Sequence, residues 1–312
     1  MFDIPPELLG EDGIYQKELK IAVELALKAG ANIEEHCKKV GTKAGQQSET
    51  TLQISTKQND ADFATAIDIL NEKIITEGLL SHFPHHQIIG EESTGTGSLP
   101  ELTSDPTWII DPIDGTTNFA SGLPLTCVSI GFCQNQIPVM GIVYAPMTQE
   151  LFLGVKNKGS FRNGIPICLS PSTLAKTLKD SIVLFEFGYA RSEESIDKML
   201  NAVKRILQHG CRTTRCLGSG VLDLCYVAMG RLDVIYTGVS EEGWKPWDYC
   251  AGMVIVQEAG GCIRSLQNEN DEFDDCGKVV PGSSFDIYSK SMICAVHPGL
   301  LEECRNTVLG FK

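Results

Sequence analysis

Trp108-Ile109-Ile110-Asp111-Pro112-Ile113-Asp114-Gly115-Thr116-Thr117-Asn118-Phe119 carries more structural information than any other part of this chain. Trp108 to Ile110 is a short apolar run of the kind that fills a buried strand, and it ends on an acid. Pro112 has no N–H to give to a ladder, so the strand is expected to end there. Asp111 and Asp114 then leave its end in a tight loop, with the Ile113 carbonyl between them as a third hard oxygen. Gly115 lets backbone come close to a ligand. Thr116-Thr117-Asn118 reads as the start of a helical turn whose free N–H groups favour an anion. A hard-cation site beside a phosphate site is what metal-assisted phosphate chemistry requires. Taken alone, the same string is also compatible with a type I turn capped by its own aspartates.

Two further acidic stretches favour the site over the turn. Gly90-Glu91-Glu92-Ser93 follows the apolar run Gln87-Ile88-Ile89, and Trp247-Asp248-Tyr249-Cys250-Ala251-Gly252 opens a helical pattern. Around them, helical periodicity covers 14–40, 65–82, 194–208, 220–229, 248–258 and 298–308. Thr65 and Asp68 have the spacing of a capping box. Strand patterns fall at 51–56, 126–133, 139–144, 150–155, 181–185, 232–236, 261–265 and 291–296. Ser93–Ser104 and Gln267–Ser284 read as surface loops. Meanders mixed with helices predict an α+β fold rather than a doubly wound parallel sheet. The expected organisation is a single domain over 1–312. It has a metal-binding half to about 169, a substrate-side half from about 170, and Ser170-Pro171-Ser172 as the internal boundary.

Composition narrows the function. Of 312 residues, 42% are hydrophobic and 21% charged, an ordinary globular mix. Forty acids against 26 bases leave a net charge of −14, which repels nucleic acid and anionic membranes. Without a gathered cluster, that excess is simply a solvated coat. The 12 cysteines include no C-x-x-C pair and sit mostly among apolar neighbours, so they read as reduced core filler. The six histidines form no ligand pattern, and a zinc site is not expected. No secretory signal or long apolar span is seen, which predicts a cytoplasmic protein.

The strings G-E-E-S, W-I-I-D-P-I-D-G-T-T-N-F and W-D-x-x-A-G together resemble the inositol monophosphatase family of lithium-sensitive, magnesium-dependent phosphatases. V-S-I-G-F at 128–132, G-I-V-Y at 141–144 and E-A-G-G at 258–261 extend the resemblance over roughly Ile14 to Leu309. It implies a layered α-β-α-β-α sandwich of the sugar-phosphatase type. It implies two to three magnesium ions: Glu91, Asp111 and the Ile113 carbonyl for one, Asp111, Asp114 and Asp248 for a second. The implied reaction is direct attack of an activated water on phosphorus, with Thr116 and Glu91 polarising it, Asp68 holding Thr116, and Glu92 and Lys57 nearby. Gly115 and Thr116 cradle phosphate in this reading. Gly218, Ser219, Gly220, Asp114 and Asp248 face the alcohol, and Glu241 or Glu242 grips it from a loop longer than in the animal enzymes.

The implied substrate is an inositol monophosphate, hydrolysed to myo-inositol and phosphate. Galactose 1-phosphate, fructose 1,6-bisphosphate and nucleoside 3′,5′-bisphosphates are alternatives, as is a metal-binding scaffold without catalysis. A homodimer and lithium inhibition also follow from the resemblance.

Overall fold

The computed structural model describes residues 2–10, 13–40, 42, 54–56, 63–174, 176–240, 243–267 and 285–311. The chain divides into two compact units. The first comprises Met1–Ile167, Gly218–Leu222 and Trp247–Glu258; the second comprises Cys168–Leu217, Asp223–Pro246 and Ala259–Lys312.

The first unit opens with the one-turn helix α1 (Pro6–Leu9) and the long helix α2 (Gln16–Cys37). A strand pair, β1 (Ile54–Thr56) and β2 (Phe63–Thr65), is antiparallel, with Ser55 opposite Ala64. Helix α3 (Ala66–His82) follows. The main sheet has seven strands in the order of the chain: β3 (Gln87–Gly90), β4 (Thr107–Asp114), β5 (Cys127–Gln134), β6 (Ile137–Ala145), β7 (Glu150–Val155), β8 (Gly159–Arg162) and β9 (Ile165–Pro166). Only β3 and β4 run parallel; the rest is an antiparallel meander, as the sequence predicts. Left-handed turns at Asn135, Gln136, Asn157 and Gly159 return the chain between strands. The short helices α4 (Glu91–Thr94) and α5 (Thr116–Ser121) follow β3 and β4 directly. One apolar face of the sheet packs on α2 and α3 through Leu19, Ala22, Ala26, Ile33, Ile75 and Leu79, all fully buried.

Strand β4 corrects one expectation. Pro112 does not end it: the strand runs on to Asp114, with Asp111 opposite Ser129 and Asp114 opposite Cys127. Pro112 and Ile113 form an irregularity in that register, where a missing N–H costs no ladder bond. Both aspartates are therefore held by sheet pairing rather than by a free loop.

Later in the chain come helices α6 (Pro171–Leu174), α7 (Glu193–His209), α8 (Gly220–Ala228) and α9 (Pro246–Glu258). The last of these takes its position from glycine. Gly131, Gly141 and Gly154 are cross-strand neighbours on β5, β6 and β7. A Cβ on Gly131 would stand 2.3 Å from Cys250 Sγ, one on Gly141 2.2 Å from the Ala251 carbonyl oxygen, and one on Gly154 3.1 Å from Ile255 Cα. The three glycines are a trough in the sheet, and α9 lies in it backbone to backbone.

The second unit holds a five-stranded sheet ordered β11 (Thr213–Arg215), β10 (Ile182–Phe185), β12 (Val234–Thr237), β14 (Met292–Ala295) and β13 (Cys262–Arg264). β10 is parallel to both its neighbours; β14 is antiparallel to both of its own. Helix α7 packs against the C-terminal helix α10 (Pro298–Leu309), where Arg205 Nε donates to the Val308 carbonyl at 3.0 Å. Asp233 is fully buried, paired with Lys176 at 2.6 Å and accepting the Ile182 N–H at 2.8 Å. Gly230 and Gly260 take positive φ just past helix ends, as expected of C-caps. Most of the predicted loop Gln267–Ser284 lies outside the described residues. No described helix is long and apolar enough to cross a membrane.

The trough makes a direct prediction. Gly141→Ala should destabilise the protein by roughly 3 kcal/mol or more, since backbone rather than a movable side chain meets the new methyl. Urea unfolding checks this; an unchanged midpoint would mean that α9 does not depend on the trough.

Candidate metal centre

Three carboxylates meet in the first unit. Asp111 and Asp114 come from the end of β4, and Asp248 from the first turn of α9. One oxygen from each lies within 4.8 Å of the others. Asp111 is 2% exposed and Asp114 6%, while Asp248 is half-buried. Glu91, half-buried at the start of α4, joins them through a side-chain hydrogen bond with Asp111.

Burial pushes the Asp111 carboxyl well above the usual carboxylate range, and the negative charges of Glu91, Asp114 and Asp248 push it further. Asp114 is pushed up to about 6, again by burial first, with Glu91 adding to the shift. Hydrogen bonds oppose that rise. Ser219 Oγ donates to Asp114 Oδ2, as do the Val221 N–H at 3.1 Å and Cys127 Sγ at 3.7 Å. With Oδ2 so occupied, Oδ1 is the oxygen left to face a cation. The donor set is all hard oxygen and its charges repel one another, which fits a magnesium-class ion and no soft metal.

The backbone around the cluster is tightly specified. Asp111 Oδ1 accepts the Ile113 N–H at 3.0 Å, and the Ile113 carbonyl accepts Thr116 Oγ1 at 3.1 Å. Thr116 Oγ1 also lies 3.5 Å from Oδ1 of Asp68, which is fully buried in the first turn of α3. Gly115 caps α5 with a φ of 79°, and a Cβ there would meet the carbonyls of Gly218 and Leu125 at 3.0 Å. Only glycine satisfies both demands. Asn118 Nδ2 donates to the Leu125 carbonyl at 2.8 Å and the Gly218 carbonyl at 3.3 Å, tying the loop to 218–220. Thr126 Oγ1 closes it, donating to the Asp114 carbonyl at 2.8 Å.

Glu91, Asp111, Ile113, Asp114, Gly115, Thr116, Asp68, Asp248 and Gly218-Ser219-Gly220 all belong to the first unit. Gly218 is exposed and Gly220 half-buried, but Ser219 is buried with its hydroxyl committed to Asp114. Glu92 is half-buried and lines a cavity of about 570 Å³ with Ile69, Lys73 and Leu80. Lys57, Glu241 and Glu242 lie outside the described residues. Sequence reasoning passes over Glu72, the bonds made by the Asn118 side chain and the Ser219–Asp114 bond. Asn118 has a visible signal, since it closes the D-G-T-T-N string; Glu72 has none, being one acid on a charged helix.

The sequence profile described as "Inositol monophosphatase family" matches residues 15–309. An "Inositol monophosphatase" of Mesembryanthemum crystallinum is 40% identical over 77% of this chain and 81% of its own length. "Inositol monophosphatase 1" of Solanum lycopersicum is 37% identical over 94% of this chain and 95% of its own. Among solved structures, an IMPase of Thermotoga maritima aligns over 95% of this chain and 98% of its own. Its TM-score is 0.73 at 27% identity, and the two share a fold.

The raised carboxyls give a signed pH expectation. A carboxyl whose folded pKa lies above its unfolded value holds its proton more tightly when folded. Metal-free stability should therefore fall as pH rises from about 4 through about 6, the window between the ordinary aspartate value and that of Asp114. Magnesium should raise the melting temperature, and by more at pH 7.5 than at pH 5. Calorimetry with and without chelator checks both; an equal shift at the two pH values would contradict the charge argument.

Proposed function

This chain belongs to the inositol monophosphatase family and is a phosphoric monoester hydrolase, and from that premise we propose that it hydrolyses inositol monophosphate to myo-inositol and phosphate. The observation that carries the reading is the meeting of Asp111, Asp114 and Asp248, with Glu91 on Asp111. Those four side chains and the Ile113 carbonyl would hold two to three magnesium ions. Bound magnesium supplies Lewis-acid stabilisation of the attacking and leaving oxygens of an in-line displacement.

The chain's own groups do the rest. The N–H groups of Gly115 and Thr116 bind the phosphate oxygens at the glycine-capped start of α5. Thr116 Oγ1, held by Asp68, and the Glu91 carboxylate orient the attacking water, and the Glu91 carboxylate accepts its proton as the oxygen adds to phosphorus. The bond from phosphorus to the alcohol oxygen breaks in the same displacement, and the oxygen takes a proton from solvent water as the alcohol departs. Asp114, Asp248 and the 218–220 segment face its hydroxyls. Glu92, Lys57 and one of Glu241 or Glu242 complete the site on the strength of the motifs alone. The cytoplasm is the proposed compartment, supported by the free thiols of all eleven described cysteines.

We also propose a homodimer. Helix α7 buries Met199, Ala202 and Ile206, yet carries a second apolar stripe of Ile196, Leu200, Val203 and Leu207 at coiled-coil spacing. Leu200 is 53% exposed and Leu207 60%. Antiparallel pairing of two copies brings Ile196 opposite Leu207 and Leu200 opposite Val203. The same pairing sets exposed Asp197 beside the partner's Lys204.

Three experiments follow. Asp111→Asn should lower kcat by roughly a thousandfold or more while leaving the fold intact, the scale expected when an electrostatic group is lost at a reacting centre. A panel at fixed magnesium should rank inositol 1-phosphate above galactose 1-phosphate, fructose 1,6-bisphosphate and nucleoside 3′,5′-bisphosphates in kcat/KM. Near-normal turnover in the variant would remove the metal assignment; a nucleotide ranked first would remove the substrate. For the dimer, light scattering should show two copies for the wild type and one for Leu200→Glu.

A further inference from the structure

Helix α4 begins without a capping side chain of its own, because Gly90 stands at its N-cap. Its first N–H groups are taken instead by Glu72 of α3, a residue only 6% exposed. Glu72 Oε2 accepts the Glu92 N–H at 2.7 Å, and Oε1 accepts the Ser93 N–H at 2.7 Å. These are the groups that a local serine or aspartate cap would satisfy. Here the cap comes from another helix. Gly90 is part of the same arrangement: a Cβ there would stand 2.5–2.6 Å from the Glu72 carboxyl group. Glu91 sits between β3 and this capped turn, with its side chain bonded to Asp111. Glu72 also lies one helical turn beyond Asp68, so both point from one face of α3. Asp68 reaches Thr116, and Glu72 reaches the Glu91 turn.

We propose that Glu72 is a positioning residue of the metal centre: its forked cap fixes the Glu91-Glu92-Ser93 turn so that the Glu91 carboxylate stands against Asp111. The inference rests on the reading of Glu91 and Asp111 as metal ligands. A carboxylate is required because only it offers two acceptors to two successive N–H groups, each bond charge-assisted. Glutamine keeps one acceptor and turns an NH₂ toward the other N–H. Glu72 acts on the metal through Glu91.

The test is Mn²⁺ binding, read from the electron paramagnetic resonance of free Mn²⁺, for wild type, Glu72→Gln, Gly90→Ala, Glu91→Gln and the double variant Glu72→Gln/Glu91→Gln. Melting in chelator reports folding separately. Glu72→Gln and Gly90→Ala should each weaken the tightest site about tenfold or more, the usual cost of losing a residue that orients a ligand. The magnesium concentration for half-maximal activity should rise alongside, with little change in KM for the phosphate ester. Glu91→Gln should weaken the site at least as much, and adding Glu72→Gln to it should cost nothing further.

If Glu91→Gln weakens binding while Glu72→Gln and Gly90→Ala do not, the positioning role is wrong. It is equally wrong if Glu72→Gln costs its full factor again in the Glu91→Gln background. Unchanged Mn²⁺ binding in Glu91→Gln would instead remove the metal assignment, and this inference with it. Should Glu72→Gln fail to fold, Gly90→Ala carries the test; failure of both to fold would make the cap a stability element and overturn the proposal.

Discussion

Helix α9 can lie on the main sheet only because three adjacent strands each give up a side chain at the same level. Gly131, Gly141 and Gly154 open a trough that brings the α9 backbone against the sheet, and any Cβ there would collide with it. Asp248, in the first turn of that helix, thereby comes within 4.8 Å of Asp111 and Asp114. Ordinary side chains in the trough would lift the helix by the thickness of a methyl group, more than a shared cation site can absorb. The strings V-S-I-G-F and G-I-V-Y thus have a steric meaning: their glycines set the distance between a sheet and a helix.

Gathering carboxylates in a buried place is unfavourable, and the surrounding structure is built to bear that cost. Sheet pairing holds Asp111 and Asp114 on either side of the irregularity at Pro112, and three donors converge on one oxygen of Asp114. Helix α3 presents Asp68 to one loop and Glu72 to the other, while Asn118 ties the first loop to the 218–220 segment. The charges that act on Asp111 remain uniformly negative. A bound cation would reverse the local sign, which is how an acidic chain can accept an anionic phosphate ester. Most of the other acids behind the net charge of −14 are solvated, while a few, such as Asp233 and Glu72, are buried in structural hydrogen bonds.

Much of this is legible in the linear chain, and the failures are instructive. The long helices and the meander are readable because periodicity is a local signal, and both ends of α2 and α3 fall close to the expected bounds. The end of β4 is not, because proline reads locally as a stop, whereas a strand can pass through proline where its register shifts. Ser219 is assigned to the alcohol side by resemblance alone, and nothing in its own segment reveals that its hydroxyl also bonds Asp114, 105 residues away. Glu72 looks like any surface acid, since nothing in its neighbours marks it as the cap of a turn 20 residues on.

The division has a simple physical basis. Which atoms are hard ligands, where a backbone must be glycine and which segments are helical are properties of a few consecutive residues. They can be read from the amino acids alone. Whether those atoms meet is a matter of register and packing between distant segments, such as Ser129 with the carbonyl of Trp247, 118 residues apart in the chain. Folding alone answers that, because the forces that close such distances are burial and steric fit. Neither leaves a pattern within a single motif.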